Sequence, residues 1–175
     1  MKELKVEDFK IREHQISLNS DKTILLINTR VEIGENDNVL LHLDFSSENK
    51  PEESIGQNIK LINERLYWIK ENIDNIKDII VNAGYVSLAE KWVKDLADSE
   101  DGYYIVDEQK VSLPIEKEYF KNSLSICEVA LHFREDEGIP IIEICVGCDP
   151  DYFSGHIITL YVDRDKNIKL AGLEG

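Results

Sequence analysis

Cysteine is scarce in this chain. Of 175 residues only Cys127, Cys145 and Cys148 carry a thiol. An odd number this small excludes a disulfide framework and points to a reducing compartment, read here as the cytoplasm. A leader-like segment is also missing: the N-terminal MKELKVEDFKIREHQ has no apolar stretch of the signal-peptide kind. No apolar run approaches the roughly 20 residues that span a bilayer. Positive charge is short as well, with 20 Lys and Arg against 35 Asp and Glu, a formal net charge of −15. Such a chain repels phosphate backbones and anionic lipid surfaces, so neither nucleic acid nor membrane is an expected partner. A basic protein is the partner that this charge attracts. There is no internal repeat, low-complexity tract or dividing linker, so one domain over residues 1–175 is expected. With 42% hydrophobic and 31% charged residues, that domain is a globular one.

What is present falls into three regions: N-terminal strands over 9–46, a helical middle over 51–97, and C-terminal strands over 124–173. Lys22 to Ile33 is rich in β-branched residues, and Phe9 to Leu18 reads as a further strand. From Asn38 to Ser46 the chain alternates, with Val39, Leu41, Leu43 and Phe45 on one face and Leu40, His42 and Asp44 on the other. Gly34 to Asn38 supplies the turn of a hairpin. The period then changes. Ile55, Ile59, Ile62, Leu66, Ile69, Ile73, Ile76, Ile80 and Ala83 are spaced alternately four and three apart, the stripe of a long helix. Pro51, Glu52 and Glu53 suit its first turn, and Gly84 lies near its end. About 30 residues make a rod of roughly 45 Å. Such a rod kinks near Lys70–Asn75, crosses a whole sheet, or pairs with a second copy through the Ile55–Ala83 stripe. Monomer and homodimer both remain open. Ser87 and Glu90 read as a capping box for the next helix, which Asp98–Gly102 ends. Gly102 to Pro114 adds a short strand and Pro114 to Leu124 a short helix. Leu124–Phe133, a turn at Glu135–Gly138, Pro140–Gly147, Gly155–Asp163 and a hairpin turn at Arg164–Asn167 complete the pattern. The expected class is α+β: a mainly antiparallel sheet with a long central helix and shorter helices packed on one face.

The densest chemistry lies in GCDPDYFSGHIITLYVD, Gly147 to Asp163. Cys145 and Cys148 form C-x-x-C, and with Cys127 and His156 they make the one candidate zinc set. A second ligand pair at a set spacing is missing, and Cys145 sits inside an apolar strand, so core packing is the stronger reading. A thioredoxin-like role requires a helix after the motif, whereas a strand follows here. Asp163, Asp165, Asn167 and Glu174 mimic an EF-hand loop, but Ile168 stands where Gly is needed and no helix follows. A hairpin turn explains them. His156 follows Gly155 and has Asp149 or Asp151 as possible orienting partners. No nucleophile accompanies it, and Ser154 lacks the nucleophile-elbow pattern. His156 is therefore read as tying its loop to the sheet edge. His14, His42 and His132 stand singly. Asp149, Asp151, Tyr152, Phe153 and His156 are the candidate binding residues. No catalytic residue and no cofactor is assigned.

Pro114, Glu118, Phe120, Leu124, Ser125, Ile126, Phe153, Gly155, His156 and Ile158 carry a family resemblance. The C-terminal part is similar to an uncharacterised bacterial domain-of-unknown-function family, whose pattern includes an aromatic-x-Gly-His-x-Ile motif. The resemblance extends over most of residues 38–175 and includes the helix with Trp92. Phe153-Ser154 stands where many members carry Trp, and YYIVDEQKV looks like an insertion. In genre, such small acidic proteins resemble immunity proteins of toxin systems. The expected function is a non-catalytic protein-binding module, of the kind that inhibits a basic toxin. The alternative is an enzyme or metal protein using the Cys145–His156 loop.

Overall fold

The computed structural model describes residues 2–14, 24–45, 50–133 and 138–175. Seven strands form the main sheet: β1 (Lys10–His14), β2 (Ile24–Ile33), β3 (Asn36–Phe45), β7 (Leu124–Phe133), β8 (Ile141–Cys148), β9 (Ile157–Val162) and β10 (Ile168–Glu174). They lie in the order β1-β2-β3-β7-β8-β9-β10. Every pairing is antiparallel except β3 with β7, which runs parallel from Leu40 opposite Glu128 to Phe45 opposite Phe133. A parallel pair needs a crossover, and the helical middle of the chain supplies it. The expected mainly antiparallel α+β class is thus observed. The hairpin turn falls at Gly34 and Glu35, within the expected segment, and Gly34 adopts the left-handed φ of 64° that the turn requires.

Alternation along β3 decides which face is covered. Val39, Leu41, Leu43 and Phe45 are at most 3% exposed, while Leu40, His42 and Asp44 are half-buried. The covered face receives the helices. Helix α1 (Pro51–Glu71) and helix α2 (Ile73–Asn82) carry the apolar stripe, which breaks at Asn72, inside the expected kink. Asn72 donates from Nδ2 to the Trp68 carbonyl at 2.8 Å, an alternative to regular helix bonding that suits a break. Ile55, Ile62, Leu66, Ile69, Ile76 and Ile80 are essentially fully buried and share one hydrophobic cluster with the sheet residues. The stripe is therefore consumed by the chain's own core. Those six side chains are not available to a homodimer seam, whereas Ala83 at the end of the stripe is exposed.

Gly84, at φ 91°, opens helix α3 (Tyr85–Leu96). The expected capping box at Ser87 and Glu90 is corrected: Ser87 lies within the helix, and Glu90 accepts a hydrogen bond from the Ile115 N–H at 2.8 Å. Asp98–Gly102 does more than end a helix. It begins a small three-stranded sheet of β4 (Asp98–Glu100), β5 (Tyr103–Val106) and β6 (Gln109–Val111), where one short strand was expected. Helix α4 (Lys117–Ser123) follows and leads directly into β7. At the other end, the Asn167 N–H donates to the Asp163 carboxylate at 2.9 Å, which accounts for the acidic turn without an ion. The expected strand residues Gln15–Leu18, Lys22, Thr23 and Ser46, and the turn at Glu135–Glu137, lie outside the described residues.

Candidate functional site

The loop between β8 and β9 is built from its own acids and aromatics. Asp151 accepts hydrogen bonds from the Phe153 N–H at 3.0 Å and from the Gly155 N–H. Gly155 supplies the left-handed turn, at φ 89°, that brings its N–H back to that carboxylate. The loop is also tied to the small sheet: Gln109 Nε2 donates to Asp149 at 2.7 Å, and the Asp151 N–H donates to Asp107 at 2.7 Å. Tyr152 and Phe153 point inward and are 2% and 0% exposed. Phe153 packs edge-on against Tyr85, Trp92 and Phe120, and Tyr152 lies against Phe120. Of these two candidate binding residues, Phe153 is corrected, since its ring is spent on the core, whereas Tyr152, though buried, also lines a shallow hollow beside Trp92 and Asp151. Asp149 is exposed, and Asp151 and His156 are half-buried. His156 places Nδ1 2.9 Å from the Phe153 carbonyl and its ring 5.1 Å from that of Trp92. The backbone of Gly175 lies against the same ring. His156 is thus a pin joining the loop, α3 and the end of β10.

The four residues of the candidate zinc set do not converge. In β8 the side chains alternate, so Cys145 and Cys148, three apart, point to opposite faces of the sheet. Cys148 packs against the helix-covered core, whereas Cys145 faces Glu128, Glu143 and Thr159 on the other side. Cys127 is the extra residue of a bulge in β7, and its thiol donates to the Cys145 carbonyl at 3.3 Å. His156 is engaged at the Trp92 end of the loop. Burial, reinforced by Glu128 and Glu143, pushes the Cys145 thiol up to about 12. Burial, with Asp151 adding to it, pushes Cys148 up to about 12 as well. Both are protonated at neutral pH, which makes them poor nucleophiles.

The structure assembles a group of residues that sequence reading left as isolated. On the face of the sheet that carries no helix among the described residues, β3, β7 and β8 bring together two histidines and three carboxylates. His42 Nε2 lies 3.3 Å from Glu128. His132 Nδ1 lies 3.4 Å from Asp44, and its Nε2 lies 3.3 Å from Glu143. The Tyr161 hydroxyl, on β9, lies beside Glu143. The side chains of the five are between 24% and 38% exposed, so they form a shelf that solvent reaches. Asp44, and then Glu143, hold the His132 imidazole above its ordinary pKa against the opposing effect of burial. The two carboxylates sit on opposite ring nitrogens, so they grip the imidazole without converging on a common point. Among the described residues no group of three or more His, Cys, Asp and Glu is placed to hold a metal ion. The sequence signal for the array was the outward parity of His42, Asp44, His132 and Glu143, but the parallel register that aligns them was not legible.

An α+β sheet with the helices of the described residues layered on one face is the class these observations define. The family described as "Uncharacterized protein conserved in bacteria (DUF2262)" matches residues 15–173, and the chain belongs to it. The match begins earlier than the expected residue 38 and so includes the N-terminal hairpin. No curated protein and no solved structure matches the chain. No described helix is long and apolar enough to cross a membrane.

Proposed function

We propose that this protein is a non-catalytic protein-binding module that presents the uncovered sheet face to a basic protein. The observation that carries the reading is the shelf of Asp44, Glu128 and Glu143, held by His42 and His132, in a chain of net charge −15. Complementary charge of this kind speeds encounter and selects partners. The chemistry of the groups favours binding over catalysis. Cys145 is held as a thiol, and both ring nitrogens of His132 are already engaged by carboxylates, Nδ1 by Asp44 and Nε2 by Glu143. In its finer form the reading is an immunity-type inhibitor that masks a basic toxin in the cytoplasm. The alternative, chemistry in the Cys145–His156 loop, has less support because the thiols and the imidazole point to different places.

The test is capture of proteins from the source cell's lysate at low salt, on wild type and on a variant carrying Asp44→Lys, Glu128→Lys and Glu143→Lys. A second triple variant reverses Glu52, Glu64 and Glu71 on helix α1. The expected result is one basic protein, released by high salt and bound about tenfold or more weakly by the sheet-face variant alone. Equal loss in both variants, or no retained basic protein, overturns the reading.

A further inference from the structure

A shallow hollow lies between the C-terminal half of α3, strand β5 with the turn after it, and the β8–β9 loop. Trp92, Leu96 and Ile105 form an apolar wall, while Asp107, Asp151 and Ser154 stand at the rim. Leu96 is 63% exposed, the largest value for a big apolar side chain among the described residues. No Lys or Arg lines the hollow. Both carboxylates are preset by backbone donors: Asp107 by the Asp151 N–H, and Asp151 by the N–H groups of Phe153 and Gly155. A carboxylate has about four acceptor sites, so each retains capacity for a cation. The C-terminal end of α3 adds the negative end of a helix dipole.

An apolar wall leading to an anionic rim matches a side chain with an aliphatic stem and a cationic head. We propose that this hollow receives one lysine or arginine side chain of the basic partner protein. The assignment rests on the reading of a basic partner, but not on the sheet face as its main surface. Because the carboxylates are already held in place, little ordering is needed when the cation enters. The hollow is too shallow to enclose a ligand on most sides, as a small-molecule pocket does.

The experiment is an amide NMR titration of the full chain with N-acetyl-lysine amide, N-acetyl-arginine amide and, as neutral control, N-acetyl-norleucine amide. The two cations are expected to give saturable millimolar shifts at Leu96, Ala97, Asp107, Asp151 and Gly155 and at the Trp92 indole, and norleucine none. Leu96→Lys, which sets the chain's own ammonium at the hollow, is expected to abolish them. Asp107→Asn is expected to weaken them severalfold. Shifts that do not saturate, that spread over the acidic surface, that norleucine reproduces, or that survive in both variants overturn the assignment. The probes contain no partner, so this result and the capture result fail independently of each other.

Discussion

The two faces of strand β3 carry different physics within one residue of each other. Leu41 and Leu43 are 0% exposed under the helical layer, whereas His42, between them, is half-buried and paired with Glu128 across a parallel strand. One face is held by apolar burial, which is worth about 25 cal/mol per Å² removed from water. The other is held by partly solvated ion pairs worth little each. The first face maintains the fold and tolerates little change. The second can change its chemistry at small cost to stability, which is where a recognition surface is best placed.

The largest test of this contrast is at the loop, where an expected binding residue proved to be core. Phe153→Ala is expected to destabilise the protein by about 3–5 kcal/mol, the cost of emptying a packed aromatic site, read by urea denaturation. A loss below about 1 kcal/mol would return Phe153 to the surface. Next comes the strand itself. Leu43→Ala is expected to cost about 2–5 kcal/mol, and His42→Ala less than about 1 kcal/mol. Similar values for the two would erase the difference between the faces. A chemical contrast follows: with burial holding Cys145 and Cys148 up at about 12, iodoacetamide at neutral pH is expected to label both slowly in the folded protein and rapidly in urea. Fast labelling of the folded protein would restore a reactive-thiol reading.

The smallest expected effect is the pH dependence of the open face. Asp44 and Glu143 raise the folded pKa of His132 above its unfolded value. The stability this contributes is fully present below the unfolded pKa, about 6.5, and is lost as pH rises through the raised folded value. The stability difference between wild type and His132→Gln should therefore shrink as pH increases above about 6.5. A difference that is flat with pH, measured by denaturation at several pH values, would separate His132 from its carboxylates.

Local patterns were legible because each is complete within a short stretch. The four-and-three spacing from Ile55 to Ile80 marked the helical stretch and its buried side, and the break at Asn72 falls within Lys70–Asn75, where a kink was one of three ways to fit a rod too long for the domain. The alternation in Asn38–Ser46 marked the covered face before any partner strand was known. The Arg164–Asn167 hairpin turn was legible too, and the Asn167 N–H closes it onto the Asp163 carboxylate. The small sheet at Asp98–Val111 was only partly legible, since its three- and four-residue strands are too short to show a period. Phe153 misled because a polar, glycine-flanked loop looks like surface, although its ring turns back into the core.

By itself the sequence determined the composition-level class, the strand–helix–strand order, the inward faces of β3 and of the Ile55–Ile80 stripe, and the shortage of positive charge against its acids. Those follow from side-chain period and net charge, which need no knowledge of distant residues. Only the tertiary structure decided that β3 pairs parallel with β7, that His132 meets Asp44 from 88 residues away, and that Cys145 and Cys148 face opposite sides. The physical reason is register. Backbone pairing between distant strands sets which side chains become neighbours, and a slip of one residue would exchange the two faces of the sheet.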